Sequence, residues 1–443
     1  MKSESSPASS PDPLPDAASV SQPVSLQVEQ TIDHLFRHEA GKMVSVLTRI
    51  FGTENVELAE DVVQDALLSA LQQWKMRGLP PNPSAWLMTV AKSKAIDAVR
   101  REKHKRKFAE ENAVLLASEY TILPTFERLT NEEEIKDDVL RMMFACCHPS
   151  IGEESQLVLI LKLLCGFSTA EIAKAFLSND ETITKRLYRA KAQFRENSIR
   201  YQLPEPEDLQ PRLAGVLKAI YLLLNEGYNS ATHTDLIRKD LIEESFRLCF
   251  MLTENTSTAE PETFALLALI CFHAARVSGR LDAEGNLLLL EAQDRSRWNR
   301  SLIEKGRKFL SQSAQGERFT AYHAEAAIAF EHCLAPDYRQ TNWQKILALY
   351  DLLLQHAPTP VVELNRAIAV GELYGAPAGL KAVEAISEKA VMNDYYLYHA
   401  TQGEFYFRMG DAAKAKGFFE SAAALTQSHA EKKLLAGKIE LCQ

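Results

Sequence analysis

The sequence lacks the long apolar segments that membrane proteins need. No run approaches the roughly 18 apolar residues that span a bilayer. The start of the chain, MKSESSPASSPDPLPDAASVSQP, has no apolar core behind a basic end, so we expect no secretory signal. The Ser, Pro, Ala and Asp content of residues 1–26 cannot bury enough apolar surface to fold, which predicts a disordered tail.

Cysteines are few and have no framework spacing. The chain has seven cysteines among 443 residues, mostly inside apolar helical patterns, as is typical of a reduced intracellular protein. The densest group is Cys146, Cys147 and His148. A metal site is conceivable there, but adjacent residues on a helix point in different directions and no CxxC pair accompanies them. We interpret the two cysteines as buried thiols at a helix end before Pro149, and we expect no metal or cofactor.

Strand patterns are also missing from the sequence. No stretch alternates convincingly between apolar and polar residues, whereas almost every segment has helical periodicity. The fold class is therefore predicted to be all-α. A chain of this length is expected to contain about two to four domains.

Two amphipathic helices are predicted near the start of the chain. In VELAEDVVQDALLSALQQW, four polar residues lie off the apolar stripe as an exposed acidic patch: Glu60, Asp61, Gln64 and Asp65. The prolines of MRGLPPNP then break the chain. Ser84 is the expected cap of the next helix, and Trp86 lies on its apolar stripe, which predicts a core position.

Positive charge is concentrated in two short segments of an acidic chain. Residues 92–107 have a net charge of +6 and residues 185–200 one of +5, so the remainder sums to −20 within a total of −9. Two compact basic patches indicate local contact with a polyanion. Two solvated helix faces are the alternative, but like charges this dense repel each other.

The second basic segment belongs to STAEIAKAFLSNDETITKRLYRAKAQFRE, which predicts two helices joined by a tight turn. The first helix is expected at 170–176. Ser178 and Glu181 are expected to cap the second helix, which starts near Asp180. Its early residues would enter a major groove, and its later Arg and Lys residues would hold phosphates. An ordinary helical hairpin is the alternative.

The C-terminal part contains one repeat-like unit. In QGEFYFRMGDAAKAKGFFESAAAL, small and aromatic residues have the spacing of a tetratricopeptide unit: Gly403, Tyr406, Gly410, Ala415, Phe419 and Ala422. Because a single unit cannot bury its own face, stacked helical pairs are predicted across residues 210–443.

Three of these stretches carry a family resemblance. AEDVVQDALLSALQQW, then PSAWLMTVAKSKAIDAVRRE, then EIAKAFLSNDETITKRLYRAKAQFRE resemble, in order and spacing, an extracytoplasmic-function (ECF) sigma factor. That protein is the promoter-recognition subunit of bacterial RNA polymerase. Downstream, YLLLNEGYNS, LLLLEAQDRSRWNRSLIEKG, YHAEAAIAF and PTPVVELNRAIAV look like the ECF subgroup with a long C-terminal tetratricopeptide-like extension.

The resemblance implies a division into domains and a set of partners. Residues 27–107 would be sigma region 2, 108–134 a linker, 135–203 the helix-turn-helix of region 4, and 204–443 the helical extension. Bacterial core RNA polymerase and promoter DNA would be the partners, in the cytoplasm. A regulatory protein or ligand would be a further partner of the extension.

The resemblance also implies roles for individual positions. The acidic patch, Glu60, Asp61, Gln64 and Asp65, would dock on the polymerase. The −10 element would be melted by the loop 76–83 and the helix 84–101, with Lys92, Ser93, Asp97, Arg100 and Arg101 as contacts. The −35 element would be read by Glu181, Thr182, Thr184, Lys185, Arg186, Tyr188 and Arg189. Two departures from the family are Ser93, where Asn is frequent, and Leu177, where the turn often has Gly.

Two other functional classes are compatible with parts of the sequence. Polar residues within apolar patterns of the C-terminal half, such as His273, Asp294 and Glu325, would suit catalysis. No nucleophile–base spacing, metal signature or phosphate loop accompanies them, so we interpret them as packing networks and expect no enzymatic activity. The second alternative is a stand-alone helix-turn-helix regulator with a ligand- or peptide-sensing solenoid. Such a regulator would not need an acidic docking helix beside a basic melting helix.

Overall fold

The computed structural model describes residues 39–105, 132–230 and 237–443, apart from the single positions 177, 198, 317 and 388. These residues form nineteen α-helices, and within the same ranges the only extended pairing is an isolated bridge between Leu281 and Leu287. The prediction of an all-α fold is confirmed. The predicted tail at 1–26, most of the predicted linker and Leu177 lie outside the described residues.

Three helices form the N-terminal group: α1 (39–51), α2 (Val56–Arg77) and α3 (Pro83–Lys105). The apolar stripe of α2 is buried as the periodicity predicted, with Val62, Val63, Ala66 and Trp74 almost inaccessible. Gly78 ends α2 at φ +79°, a backbone conformation that other residues rarely adopt.

The cap of α3 differs from the predicted one. The side chain of Asn82 accepts a hydrogen bond of 3.0 Å from the backbone N–H of Ala85, so Asn82 caps the helix and Ser84 lies inside it. Pro83 explains the shift, because the fixed φ of proline suits the first helical position, where its missing N–H costs nothing.

Four helices form the second group: α4 (Glu132–Cys146), α5 (Glu153–Leu163), α6 (Thr169–Ala175) and α7 (Asp180–Glu196). Since α4 begins at Glu132, the last three residues of the predicted linker are helical. The short helix α6 and the longer α7 are the two helices expected from the sequence around residue 177.

Twelve further helices follow in the described residues up to the end of the chain. They are α8 (Pro206–Tyr228), α9 (Lys239–Glu254), α10 (Pro261–Arg276), α11 (Arg300–Ser313), α12 (Ala321–Leu334), α13 (Trp343–His356), α14 (Pro360–Tyr374), α15 (Ala376–Glu384), α16 (Lys389–Met392), α17 (Tyr396–Arg408), α18 (Ala412–Leu425) and α19 (His429–Glu440). Apart from the four-residue α16, consecutive helices of this part pack against one another, and α15 packs against α17.

One hydrophobic core joins the three groups as far as α12. Its buried members run from Ala40 to Cys333. Gly41 of α1 lies so close to Leu164, just after α5, that an added Cβ would be 2.3 Å from the Leu164 carbonyl oxygen. The Tyr201 hydroxyl lies 2.8 Å from the carbonyl oxygens of Ser45 and Asp138. Residues on both sides of the predicted domain boundary near residue 203 therefore belong to the same hydrophobic core.

A buried ion pair connects the C-terminal part with α6. The guanidinium of Arg238, just before α9, donates a hydrogen bond of 2.8 Å to the carboxylate of Glu171, and both side chains are about 5% exposed or less. Asp240 accepts a second bond of 3.1 Å from the same guanidinium. The second carboxylate oxygen of Glu171 accepts a hydrogen bond from the backbone N–H of Ser168, the N-cap residue of α6. The pair thus fixes the start of α6 to the extension.

The repeat-like unit consists of α17 and α18. Gly403 allows the two helices to approach, because a Cβ at this position would lie 2.8 Å from the ring of Phe419. Tyr406 stacks on Phe418, with ring centroids 5.4 Å apart. Gly403, Tyr406 and Phe419 therefore lie at a helix–helix contact, while the assignment to the tetratricopeptide class stays a prediction.

Contrary to the expectation from the sequence, one helix within the described residues is long and apolar enough to cross a membrane by the criteria of length and composition, at Pro261–Gly279. Two thirds of this segment is buried inside the protein. It includes α10, whose Phe272 is packed under Gly306 of α11. The helix is therefore a central element of the core.

We expect Arg238→Ala to lower the free energy of unfolding by about 3–5 kcal/mol, because it leaves the Glu171 carboxylate buried and unpaired. Arg307→Ala is the matched control, since Arg307 and its partner Glu304 are more than half exposed and such pairs contribute about 0–1 kcal/mol. Urea unfolding of the two variants measures the difference. Similar losses in both variants would contradict the importance of the buried pair.

Candidate partner and nucleic-acid interface

The basic helix α7 is capped by Asn179. Its side-chain oxygen accepts a hydrogen bond of 2.8 Å from the backbone N–H of Thr182. The predicted capping by Ser178 is therefore wrong by a single residue. The reciprocal capping box occurs instead at α6, where Ser168 and Glu171 each bond the other's backbone N–H.

Six of the seven residues predicted to read the −35 element lie on the exposed surface of α7: Glu181, Thr182, Thr184, Lys185, Tyr188 and Arg189. Tyr188 is 72% exposed, which is unusual for a large aromatic side chain. Ile183, Ala190 and Phe194 form the opposite, buried face. Lys185 pairs with Glu181 at 2.6 Å, one helical turn earlier, and both stay accessible to solvent.

Arg186, the seventh of these residues, is turned towards the protein. Its guanidinium lies 2.6 Å from the carboxylate of Glu154 in α5 and 5.7 Å from the ring centroid of Phe176. These contacts hold α7 against the elements that precede it. Arg186 is thus half-buried, and its charge is already partly compensated.

The later cations of α7 contact α2 of the N-terminal group. Lys191 lies 2.6 Å from the carboxylate of Glu60, and Arg195 lies 3.2 Å from that of Glu57. No local sequence pattern predicts these long-range pairs, because more than 130 positions separate the partners. Part of the positive charge of α7 is therefore paired with carboxylates of α2.

Of the predicted acidic patch, Asp61, Gln64 and Asp65 are exposed on α2, whereas Glu60 is buried. The expectation that Glu60 is exposed is thus corrected, because the residue turns towards Lys191. Burial raises the pKa of the Glu60 carboxyl above its usual range, although the ammonium of Lys191 counteracts this shift. The exposed part of the patch consists of three residues.

Helix α3 presents a polar face next to this patch. Ser93, Asp97 and Arg100 are exposed and Lys92 is half-buried, while the side chain of Arg101 lies outside the described residues. The guanidinium of Arg100 lies 3.7 Å from the carboxylate of Asp97.

The inner side of α3 faces α2. Trp86 packs edge-on against Trp74, with ring centroids 5.2 Å apart, in agreement with its predicted core position. Lys94, which the sequence reasoning did not single out, lies 3.9 Å from Asp65 and brings the acidic and basic faces together.

The comparisons with known proteins decide the family. The family model of sigma-70 region 2 matches residues 35–105, which include α1, α2 and α3, and a family of unknown function (DUF6596) matches residues 212–314. An uncharacterized protein of Rhizobium meliloti is 34% identical over 401 residues, 88% of this chain and 90% of its own length. A probable RNA polymerase sigma factor, RfaY, of Xanthomonas campestris pv. campestris is 27% identical over 149 residues, 33% of this chain and 36% of its own length. The chain belongs to the ECF-like sigma factors with a C-terminal extension.

The cysteines of this sigma factor are free thiols, and six of the seven are buried. Burial raises the pKa of Cys147 to about 12, and the Cys146 thiol is shifted in the same direction. His148 is more exposed and its Nδ1 lies 2.7 Å from the Ser150 hydroxyl. In the described parts of the chain, no three metal-ligating side chains come together.

The polar residues of the extension form packing contacts. The guanidinium groups of Arg276 and Arg295 both lie 5.1 Å from the ring centroid of Trp298. Arg295 also donates to the carbonyl oxygens of His332 and Ala335, at 2.7 and 2.9 Å. These hydrogen bonds satisfy backbone carbonyl groups at the C-terminal end of α12 and are the kind of network that fixes helix packing.

Sigma factors are not a class of enzymes.

The pairing of α7 with α2 predicts unequal effects for two lysines of α7. We expect Lys191→Ala to lower the free energy of unfolding by about 1–3 kcal/mol at pH 7, because it leaves the buried Glu60 carboxylate without its cation. Lys185→Ala removes an exposed pair of the same length and should cost about 0.5 kcal/mol or less.

The pH dependence provides a second measurement. The folded-state pKa of Glu60 lies above its unfolded value, so Glu60 makes the protein less stable as the pH rises from its usual pKa towards neutrality. Loss of Lys191 raises the folded-state pKa further, and the deficit of Lys191→Ala should grow over the same rise in pH. A deficit independent of pH would contradict an ionised Glu60–Lys191 pair.

Proposed function

We propose that this sigma factor binds core RNA polymerase and directs promoter-specific initiation of transcription. The observation that supports it most is the exposed acidic face of α2, within the segment that matches sigma-70 region 2. Three polar side chains, Asp61, Gln64 and Asp65, form this face. Their charge suits a basic surface on the polymerase, because complementary charges steer association and fix register.

The −10 element of the promoter would be contacted by α3 and the loop before it. The last turn of α2 and the loop after it present two exposed apolar side chains, Met76 at 78% and Leu79 at 39% exposure. Apolar and aromatic groups of this kind suit an unstacked base, while cations such as Arg100 suit the backbone of the displaced strand. Lys92, Ser93, Asp97 and Arg101 are the further proposed contacts.

The −35 element would be read by α6 and α7 as a helix-turn-helix. Six exposed side chains at the start of α7 support this proposal. Lys191 and Arg195, by contrast, form ion pairs with α2, so their charge is less available to bind DNA phosphates. We infer that tight promoter binding depends on the polymerase. The polymerase would supply the affinity for DNA that a protein of net negative charge lacks.

The extension would regulate this activity. Its buried contact from Arg238 to Glu171 fixes the first helix of the proposed DNA-binding pair, and the shared core links it to region 2. A change in the extension would therefore reach both proposed DNA-binding elements. A cytoplasmic location follows from the proposed partners.

In vitro transcription from a library with randomised −35 and −10 segments tests the proposal. Purified core polymerase with the full-length protein should enrich a defined pair of sequence elements at a fixed spacing. Core polymerase alone is the control. If the mixture enriches no element while the protein alone binds a specific DNA site tightly, the protein is a stand-alone regulator instead.

We expect the double substitution Asp61→Arg, Asp65→Arg to weaken binding to core polymerase by about tenfold or more, because it reverses the charge of the docking face. Glu420→Arg, Glu440→Arg is the matched control, since both residues are exposed on the C-terminal helices. Binding is measured with immobilised polymerase. Equal binding of the two double variants would exclude α2 as the docking helix.

We expect Arg189→Ala to reduce promoter-dependent transcription by about tenfold, because it removes a groove or phosphate contact of α7. Arg339→Ala, an equally exposed position of the extension, should have no effect. If Arg189 contacts phosphate, the slope of log affinity against log salt should fall by about 1. Full activity of Arg189→Ala with an unchanged salt slope would refute the placement of α7 on DNA.

A further inference from the structure

The C-terminal helices surround a half-open cavity of about 370 Å³. Its walls come from the loop 287–291 and from six helices, α12, α13, α14, α17, α18 and α19. Pockets that bind small organic molecules have volumes of about 300–1,000 Å³, so this cavity has room for one. It lies outside the sigma-70 region 2 segment and touches the DUF6596 segment only through the loop.

The walls of the cavity are mainly apolar, with aromatic and leucine side chains. Trp343, Tyr350, Tyr396, Phe405 and Phe419 line it together with several leucines. Flat rings and branched aliphatic groups bind apolar surface well, and aromatic ligands can stack on the rings. The body of a suitable ligand is therefore apolar.

His332 provides a polar group without a partner. Its side chain is 9% exposed, it lines the cavity, and its Nδ1 is buried with no hydrogen-bond partner among the described residues. Burial, helped by the nearby Arg276 and Arg295, lowers the pKa of His332 to about 3, so the ring is neutral at pH 7. A neutral imidazole offers one donor and one acceptor. Because Nδ1 is inaccessible, the other ring nitrogen, Nε2, is the atom that a ligand in the cavity would bond.

Both cations of the cavity and three of its four carboxylates already have partners. Arg408 lies 2.6 Å from Glu372 and 3.0 Å from Glu404, and Lys438 lies 2.8 Å from Glu404. Glu431 accepts hydrogen bonds from the hydroxyls of Tyr396 and Thr426. Since four carboxylates face two engaged cations, an anionic ligand would meet no available positive charge. The cavity therefore disfavours anions.

We propose that this cavity binds an uncharged, largely apolar small molecule with at least one hydrogen-bonding group, which pairs with His332. The ligand would contact both the loop 287–291 and the last helices of the chain. Binding would therefore stabilise their association and raise the midpoint of thermal unfolding. The site would give the extension a chemical input that is separate from polymerase and DNA.

Two dyes of the same framework test the proposal on the full-length protein. N-phenyl-1-naphthylamine is uncharged and has one N–H group, and 1-anilinonaphthalene-8-sulfonate adds a negative charge to it. We expect saturable binding of a single uncharged dye per chain, seen as enhanced fluorescence. The sulfonate should bind about tenfold more weakly or worse, a difference of about 1.4 kcal/mol. Absence of saturable binding, or equal affinity for both dyes, would overturn the proposal.

Variants locate the binding within the cavity. Ala400→Trp places an indole inside the cavity and should lower the affinity for the uncharged dye by about tenfold or more. Ala413→Trp, at an exposed position of α18, is the control and should change this affinity by less than about twofold. Circular dichroism and thermal unfolding report whether each variant folds. If Ala400→Trp does not fold, Leu397→Trp takes its place, because Leu397 lines the cavity and is 36% exposed.

His332→Phe keeps a ring of similar size and removes its nitrogens. We expect about fivefold weaker binding of the uncharged dye, because its N–H loses an acceptor, together with equal or greater stability of the free protein. Unchanged affinity in His332→Phe would refute the role of this residue. Unchanged affinity in the folded tryptophan variant of the cavity would refute the site itself.

Discussion

Lys191 and Arg195 approach Glu60 and Glu57 because one hydrophobic core joins the first three helices to the pair α6–α7. This contact determines which charges remain available. Helix α7 uses its later cations within the protein and leaves its early residues in solvent. Helix α2 likewise uses Glu60 internally and leaves Asp61, Gln64 and Asp65 exposed. The surfaces proposed for DNA and for polymerase are what remains after this internal pairing.

The extension is built into the same arrangement. A buried guanidinium–carboxylate pair requires good geometry, because both ions lose their hydration and only well-aligned hydrogen bonds offset this desolvation cost. Arg238 meets this condition with two carboxylates, and Glu171 also caps α6. The first helix of the proposed DNA-binding pair thus depends on the extension for its position. Such a contact supports the proposal that the extension regulates the preceding regions.

Much of the fold could be predicted from local patterns. The period of apolar residues predicted the all-α class and the core position of Trp86, because these depend on which side of a helix is apolar. The polar residues before α7 predicted its start near Asp180. The caps were less predictable. Asn82 and Asn179 replaced Ser84 and Ser178, since several side-chain oxygens near a helix start can accept the same amide and the backbone path selects one. The candidate site was predicted residue by residue, yet Glu60 and Arg186 turned inward.

The sequence by itself determined the helical class, the faces of the helices, the two basic segments and the membership in a sigma-factor family. The first three features follow from neighbours within about two turns of one helix, and the family membership follows from the order of several motifs along the chain. Only the tertiary structure decided that Glu60 meets Lys191, that Arg238 meets Glu171, and that residues between 287 and 438 surround a half-open cavity that His332 lines. Local periodicity indicates that a side chain is buried, but the helix that lies opposite is selected by packing across the whole chain.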